Sequence, residues 1–302
     1  MESGRESALA MKPSEQRGTV ASPDRAGQWA KVARNWKLLG PPLRPSQEDV
    51  RFSDEAVGMW RGQRAPRVLL LGVTPELYGL PWQEGTDFLA VDRTMEAIEA
   101  VWPGPREAVR CEDWLEMRLP AASRDIVLCD GGLNLLAYPE EQHRLASILR
   151  GVLAEGGLCI LRLFVRPAER ETREAVLADL MSGRIPNMNV LKLRLWMALQ
   201  ESPSQGVNLD TVWRTVQGAA GNLEELASRL GWQLEETLTI NAYRGSTTRY
   251  WLGTVDEVTE IFCHEVRGFE LARTRVPSYE GGRQCPTVVL RRTSRAGGNV
   301  RR

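Results

Sequence analysis

Two residues twenty positions apart, Gly72 and Asp92, carry the first chemical signal in the sequence. Gly72 follows an apolar run at 68–71 and precedes Thr74 and Pro75, a pair suited to opening a helix, while Asp92 closes a second apolar run at 88–91. A strand-to-helix turn without a side chain lets a ligand approach the backbone closely. A carboxylate on the next strand is an acceptor-only group for the two hydroxyls of a ribose. The pairing points to a nucleoside-containing ligand. A nicotinamide dehydrogenase would need G-x-G-x-x-G after the first strand, and the third and sixth positions here are Thr74 and Leu77; no G-x-S-x-G supports a hydrolase.

The elements that must position these residues alternate. After the opening unit, the spacing predicts a helix over 94–101, a short strand over 108–111 and a strand over 125–130. An amphipathic helix over 139–154 ends at Gly156 and Gly157, and an apolar run covers 158–165. Five strands of mostly continuous apolar character separated by helices predict a parallel sheet covered on both faces. Residues 168 to about 250 break the rhythm with helical patterns over 170–181, 188–200, 209–217 and 223–230, too long for one crossover and therefore a helical insertion over one end of the sheet. A helix over 255–263 and strands over 269–276 and 287–291, joined through Gly281 and Gly282, predict a closing hairpin with one antiparallel strand. Upstream, Trp29, Val32, Ala33 and Trp36 share one helical face. That helix packs on the core or closes over the ligand as a lid.

Composition bounds the rest. The 302 residues carry 39 basic and 39 acidic side chains, and zero net charge argues against a nucleic-acid partner. Five scattered cysteines without a CxxC pair fit reduced, buried thiols in a cytoplasmic protein. Two histidines without neighbouring ligands at metal spacing predict no metal site. No apolar run reaches the roughly 20 residues that span a bilayer, and the N-terminus lacks an apolar signal core.

The succession VLLLGVTPEL, FLAVD, VRCEDW, DIVLCDGGLNLL, LRGVLAEGGLCILRLF and the terminal hairpin resembles the class I S-adenosylmethionine-dependent methyltransferases, strongly over 64–166 and weakly over 254–293. The resemblance implies an α/β, doubly wound, mostly parallel seven-stranded sheet. Its last strand is antiparallel, and here a helical insertion separates strands 5 and 6. Together with composition and periodicity it divides the chain into a disordered tail (1–26), an N-terminal helical segment or lid (27–63), a Rossmann-like core binding S-adenosyl-L-methionine (64–167), a helical cap (168–250), the remaining core with its hairpin (251–293) and a disordered basic tail (294–302). It further implies cofactor contacts from Gly72, Thr74, Asp92, Arg93, Asp113, Trp114, Asp130 and Gly131. Asp92 would take the ribose hydroxyls, Asp113 with Trp114 the adenine, and Asp130 would stand beside the methionine moiety. The family's loop carries an acid two residues before its first glycine, and more glycines, where this chain has Leu70, Thr74 and Glu76. Glu76 could replace the missing acid, and Thr74 could cap the following helix.

The expected activity is methyl transfer to a small molecule. A sulfonium is already a good leaving group, so the protein need only align the acceptor, exclude water and, where required, remove a proton; no catalytic residue is assigned. Candidates on the acceptor side are Asn134, Tyr138, Arg162, Lys192, Arg194 and Tyr243. Arg162 interrupts an apolar strand, which calls for a carboxylate of the fold or an anionic substrate beside it. The apolar stripe of 187–201, with Val190, Leu193 and Met197, reads as core rather than pocket. The rival readings are a non-catalytic binding or regulatory protein on the same fold and a methyltransferase acting on a macromolecule.

Overall fold

The computed structural model describes residues 24–264 and 268–294; the two expected tails lie largely outside them. Nine strands are present among these residues: β1 (Arg67–Leu71), β2 (Asp87–Asp92), β3 (Val109–Cys111), β4 (Arg124–Asp130), β5 (Leu153–Arg162), β6 (Val207–Asn208), β7 (Arg249–Tyr250), β8 (Phe269–Arg275) and β9 (Thr287–Arg292). Seven form one sheet in the order β3-β2-β1-β4-β5-β9-β8, and β6 and β7 pair separately. β3 through β5 are parallel, and β9 runs antiparallel to both β5 and β8.

The continuous apolar runs have a simple cause. Successive strand side chains point to opposite faces, so a strand covered on both must be apolar at every position. Leu69 and Leu71 of β1 join Val127 and Cys129 in one core, whereas Val68 and Leu70 join Ile126 and Leu128 in the other. The first face is covered by α5 (Glu140–Val152) and α11 (Val255–Cys263). The second is covered by α1 (Arg25–Arg34), α2 (Gln47–Val57), α3 (Pro75–Tyr78) and α4 (Met95–Val101). A third core belongs to the insertion, built from α6 (Arg173–Met181), α7 (Met188–Leu199), α8 (Leu209–Ala220), α9 (Leu223–Leu230) and α10 (Leu234–Leu238). The β6–β7 ribbon ties the start of α8 to the chain returning to the sheet.

Three details depart from the sequence reading. The helix expected over 139–154 stops at Val152, and LAEGG, expected as a turn, forms the front of β5. Gly156 takes a φ of +71° there, and the pairing with β4 shifts register between Arg124 and Ile126. Trp36 lies in a 3-10 turn beyond α1 rather than on it. Sequence periodicity passed over α2, although Ser46 and Asp49 form a reciprocal capping box at its start.

Arg162 is a buried junction between elements. At the end of β5 it is 4% exposed, its Nη1 donates to Asp130 at 2.8 Å, its Nε stands 3.3 Å from Asp49 of α2, and its Nη2 donates to the Tyr279 hydroxyl at 3.0 Å. Tyr279 in turn donates to Asp49 at 2.8 Å. Burial works against the guanidinium, but the facing carboxylates outweigh it and hold Arg162 well above its ordinary range. One buried cation thus ties the sheet centre, α2 and the hairpin together.

Candidate active site

A cavity opens at the carboxyl ends of β1, β2 and β4 beneath α1, with about 1190 Å³ of atom-free space, its mouth included. Ligands of open α/β sheets bind at this edge, where the strand order reverses between β1 and β4. Gly72, Thr74, Asp92, Arg93, Asp113, Trp114, Asp130 and Gly131 all line it. The fold therefore brings together every residue expected at the cofactor.

Asp92 ends β2 and is 3% exposed. Its Oδ1 accepts from the Thr94 backbone N–H at 2.9 Å and its Oδ2 from the Trp29 indole Nε1 at 3.1 Å. Each carboxylate oxygen keeps acceptor capacity for a further donor. Burial pushes the carboxyl up to about 6, against the stabilising effect of both hydrogen bonds. The Trp29 contact was not foreseen, because it joins α1 to a strand 63 residues away; the indole on an amphipathic helix was its one trace in the sequence. α1 is itself anchored, with Arg25 donating to Glu141 at 2.7 Å and resting 5.2 Å from the Trp251 ring centroid.

Beside Asp92, Arg93 pairs with Asp113, and the Trp114 indole donates to Val91 O at 2.7 Å, which fixes its ring across the end of β2. Gly72 gives its N–H to Val91 O at 2.8 Å and has a φ of +97°; a Cβ would stand 3.9 Å from Trp114, so backbone conformation rather than crowding selects glycine. Gly131 meets both constraints, with a φ of +61° and a built Cβ only 2.5 Å from the Phe164 ring. Gly132, which sequence reasoning missed, is wedged between Trp114 and Cys129. Gly131→Ala should cost about 1–2 kcal/mol from the backbone alone, read as a lower urea midpoint, and should displace Phe164. Wild-type stability would show that the turn can relax.

Thr74 lines the cavity but makes no side-chain cap to α3, contrary to expectation. Glu76 is bound by Arg44 and faces away from the cavity, so it does not replace the missing loop acid. Of the acceptor-side candidates, Asn134, Lys192 and Tyr243 line the cavity. Asn134 is 5% exposed, with its Oδ1 lacking a partner among the described residues. The other three do not reach it. Arg162 is consumed by Asp130 and Asp49, Arg194 by Glu171 and Asp179, and Tyr138 packs on the core beneath α5. The stripe of α7, expected as core rather than pocket, also contributes Trp196 to the cavity wall, with Thr239 and Tyr250 nearby. Among the described residues there is no cluster of three or more metal-ligating side chains, and no helix is long and apolar enough to cross a membrane.

No protein-family model and no curated protein matches the chain. Solved structures do. The CcbJ methyltransferase of Streptomyces caelestis aligns at 13% identity with a TM-score of 0.53, over 90% of this chain and all of that one. A Rhodobacter sphaeroides protein provisionally assigned to the zinc-dependent alcohol dehydrogenases aligns at 13% identity with a TM-score of 0.55, over 89% of this chain and 99% of that one. At such identities the likeness speaks for the fold alone.

Proposed function

We propose that this chain, which has the class I methyltransferase Rossmann-like fold, is an S-adenosylmethionine-dependent methyltransferase acting on a small molecule. The observation that carries the reading is Asp92: a buried carboxylate at the end of β2, with acceptor capacity left and opening into a cavity whose floor is the Gly131–Gly132 turn. The residues present fit the cofactor. Asp92 holds the ribose hydroxyls, Trp114 and Asp113 flank the adenine, and the Gly131–Gly132 turn, which lines the cavity, runs beside the methionine chain. The bound cofactor supplies an electrophilic methyl group. The protein orients the acceptor against it and keeps water out, with α1 as the roof.

A roofed cavity supports a small acceptor over a macromolecule, and the free, mostly buried cysteines support a cytoplasmic setting. One observation favours a second reading, a binding or regulatory protein on this fold: Glu76 is tied to Arg44, so the loop after β1 offers no acid to the cofactor's amino group. Thermal unfolding separates the two ligand classes. S-adenosylhomocysteine should raise Tm by several degrees at saturation while NAD leaves it unchanged; stabilisation by NAD instead would overturn the assignment.

Asp92 also sets the pH dependence of binding. Ribose hydroxyls donate to the ionised carboxylate, so affinity should be full above about 6 and fall as pH drops through that value. Calorimetric titration of S-adenosylhomocysteine from pH 5 to pH 8 reads this directly. A flat profile would place the ribose elsewhere.

A further inference from the structure

Beyond the Gly131 turn the cavity changes character. Phe164 lies against Gly131 and meets the Trp196 ring at 5.7 Å; Trp196 in turn meets Tyr250 at 4.9 Å and Tyr243 at 6.4 Å. This aromatic wall ends at Lys192, whose Nζ stands 5.5 Å from the Tyr243 ring centroid. Lys192 is 2% exposed, in the middle of a helix buried on nearly every face. A buried lysine is costly, and this one is compensated sparingly. Its Nζ donates to Thr239 Oγ1 at 2.5 Å, and Thr239 commits its own proton to Glu236 O at 2.5 Å, so the hydroxyl faces the amine only as an acceptor. Glu236 on α10 acts on it through charge, and the Glu236 carboxylate is already engaged by Asn189 at 3.0 Å.

We propose that this far end is the subsite for a planar aromatic acceptor bearing an ionisable hydroxyl, a phenol or enol, and that Lys192 Nζ takes the hydroxyl proton. The acceptor's O–H bond breaks, a third N–H bond forms on the neutral amine, and the resulting ammonium is stabilised by Glu236 and Thr239. The oxygen keeps the bond pair and becomes the nucleophile for the methyl group, whose sulfur takes back the pair of the broken C–S bond. The ammonium returns its proton to solvent when product leaves. The fate of the oxygen pair rests on the methyl-transfer reading; the proton transfer does not.

The neighbouring groups support the assignment of roles. Burial lowers Lys192 to about 7, against the pull of Glu236, which leaves a large neutral fraction near physiological pH. Burial drives Tyr243 and Tyr250 upward, so both remain O–H donors and cannot compete as bases. The ring walls fit a flat, apolar acceptor, and a carboxylate substrate would need no base.

The test uses 4-nitrophenol, whose anion absorbs visible light, with 4-nitroanisole and 4-nitrobenzoate as shape controls, all added to the full chain. At about pH 6, wild type should bind 4-nitrophenol with the spectrum of the anion. Lys192→Met should bind it as the neutral phenol and about tenfold or more weakly, while 4-nitroanisole binds both proteins alike. Thr239→Val, which keeps the lysine but removes its acceptor, should move the pH midpoint of probe ionisation without abolishing it. A neutral spectrum in wild type or an anion band surviving in Lys192→Met overturns the proposal. S-adenosylhomocysteine titrated into the same samples keeps the two readings apart: ionised probe without nucleoside binding upholds the base at Lys192 and removes the methyl donor instead.

Discussion

Arg162→Met should destabilise the protein by about 3–5 kcal/mol, because it removes the one cation between two buried carboxylates. Asp130 and Asp49 are 4% and 1% exposed at the side chain, and without the guanidinium neither has an ionic partner among the described residues. Protonation would relieve part of the penalty, so the loss should shrink as pH falls towards the carboxylate range. The change should appear as a lower urea midpoint at an unchanged slope. A triple replacement of Arg162, Asp130 and Asp49 by apolar residues should recover much of the loss, since a wholly apolar core leaves no charge stranded. Wild-type stability of Arg162→Met would mean that the buried cluster does not organise the sheet centre.

Asp92→Ala should weaken S-adenosylhomocysteine binding by about 1–3 kcal/mol, the cost of leaving hydrogen-bond donors of a bound ligand without their charged acceptor. The same change strands the Trp29 indole and the Thr94 N–H, both of which now donate to it. Some loosening of α1 over the cavity is therefore expected alongside the loss of affinity. Trp29→Phe separates the two effects: it removes the indole donor, keeps an aromatic ring on the roof and leaves the carboxylate. Calorimetry on the pair should give a large loss for Asp92→Ala and a smaller one for Trp29→Phe. Equal losses would assign the effect to the roof rather than to the ribose acid.

Much of the fold could be read from the sequence because its signals are local and periodic. The apolar runs of β1, β2, β4 and β5 are continuous for the reason that both faces of the sheet are covered, and helix α9 matches its expected bounds through its Asn222 cap and Gly231 stop. The strand-end acids Asp92 and Asp130 stand out for the same reason, as charges terminating apolar runs. The illegible parts depend on long-range contact. Arg162 and Lys192 look alike in the sequence, each a charge inside an apolar element. Only the packing tells that Arg162 is neutralised by α2 and β4 while Lys192 meets a hydroxyl and opens onto a cavity. The periodicity of α1 allowed a lid, but its attachment was hidden, since Trp29 finds its acceptor on a strand that no local pattern connects to it. The role of α7 was divided by burial: one helix serves as core and as cavity wall at once, which a hydrophobic stripe cannot distinguish.

The central claim is that the cavity beneath α1 holds S-adenosylmethionine with its ribose on Asp92. Isothermal titration of the wild-type chain with S-adenosylmethionine at neutral pH tests it most directly. A single saturable site with sub-millimolar affinity, shared competitively with S-adenosylhomocysteine, is the predicted result. An absence of binding heat with either ligand at millimolar concentration, in protein that unfolds cooperatively, would contradict it.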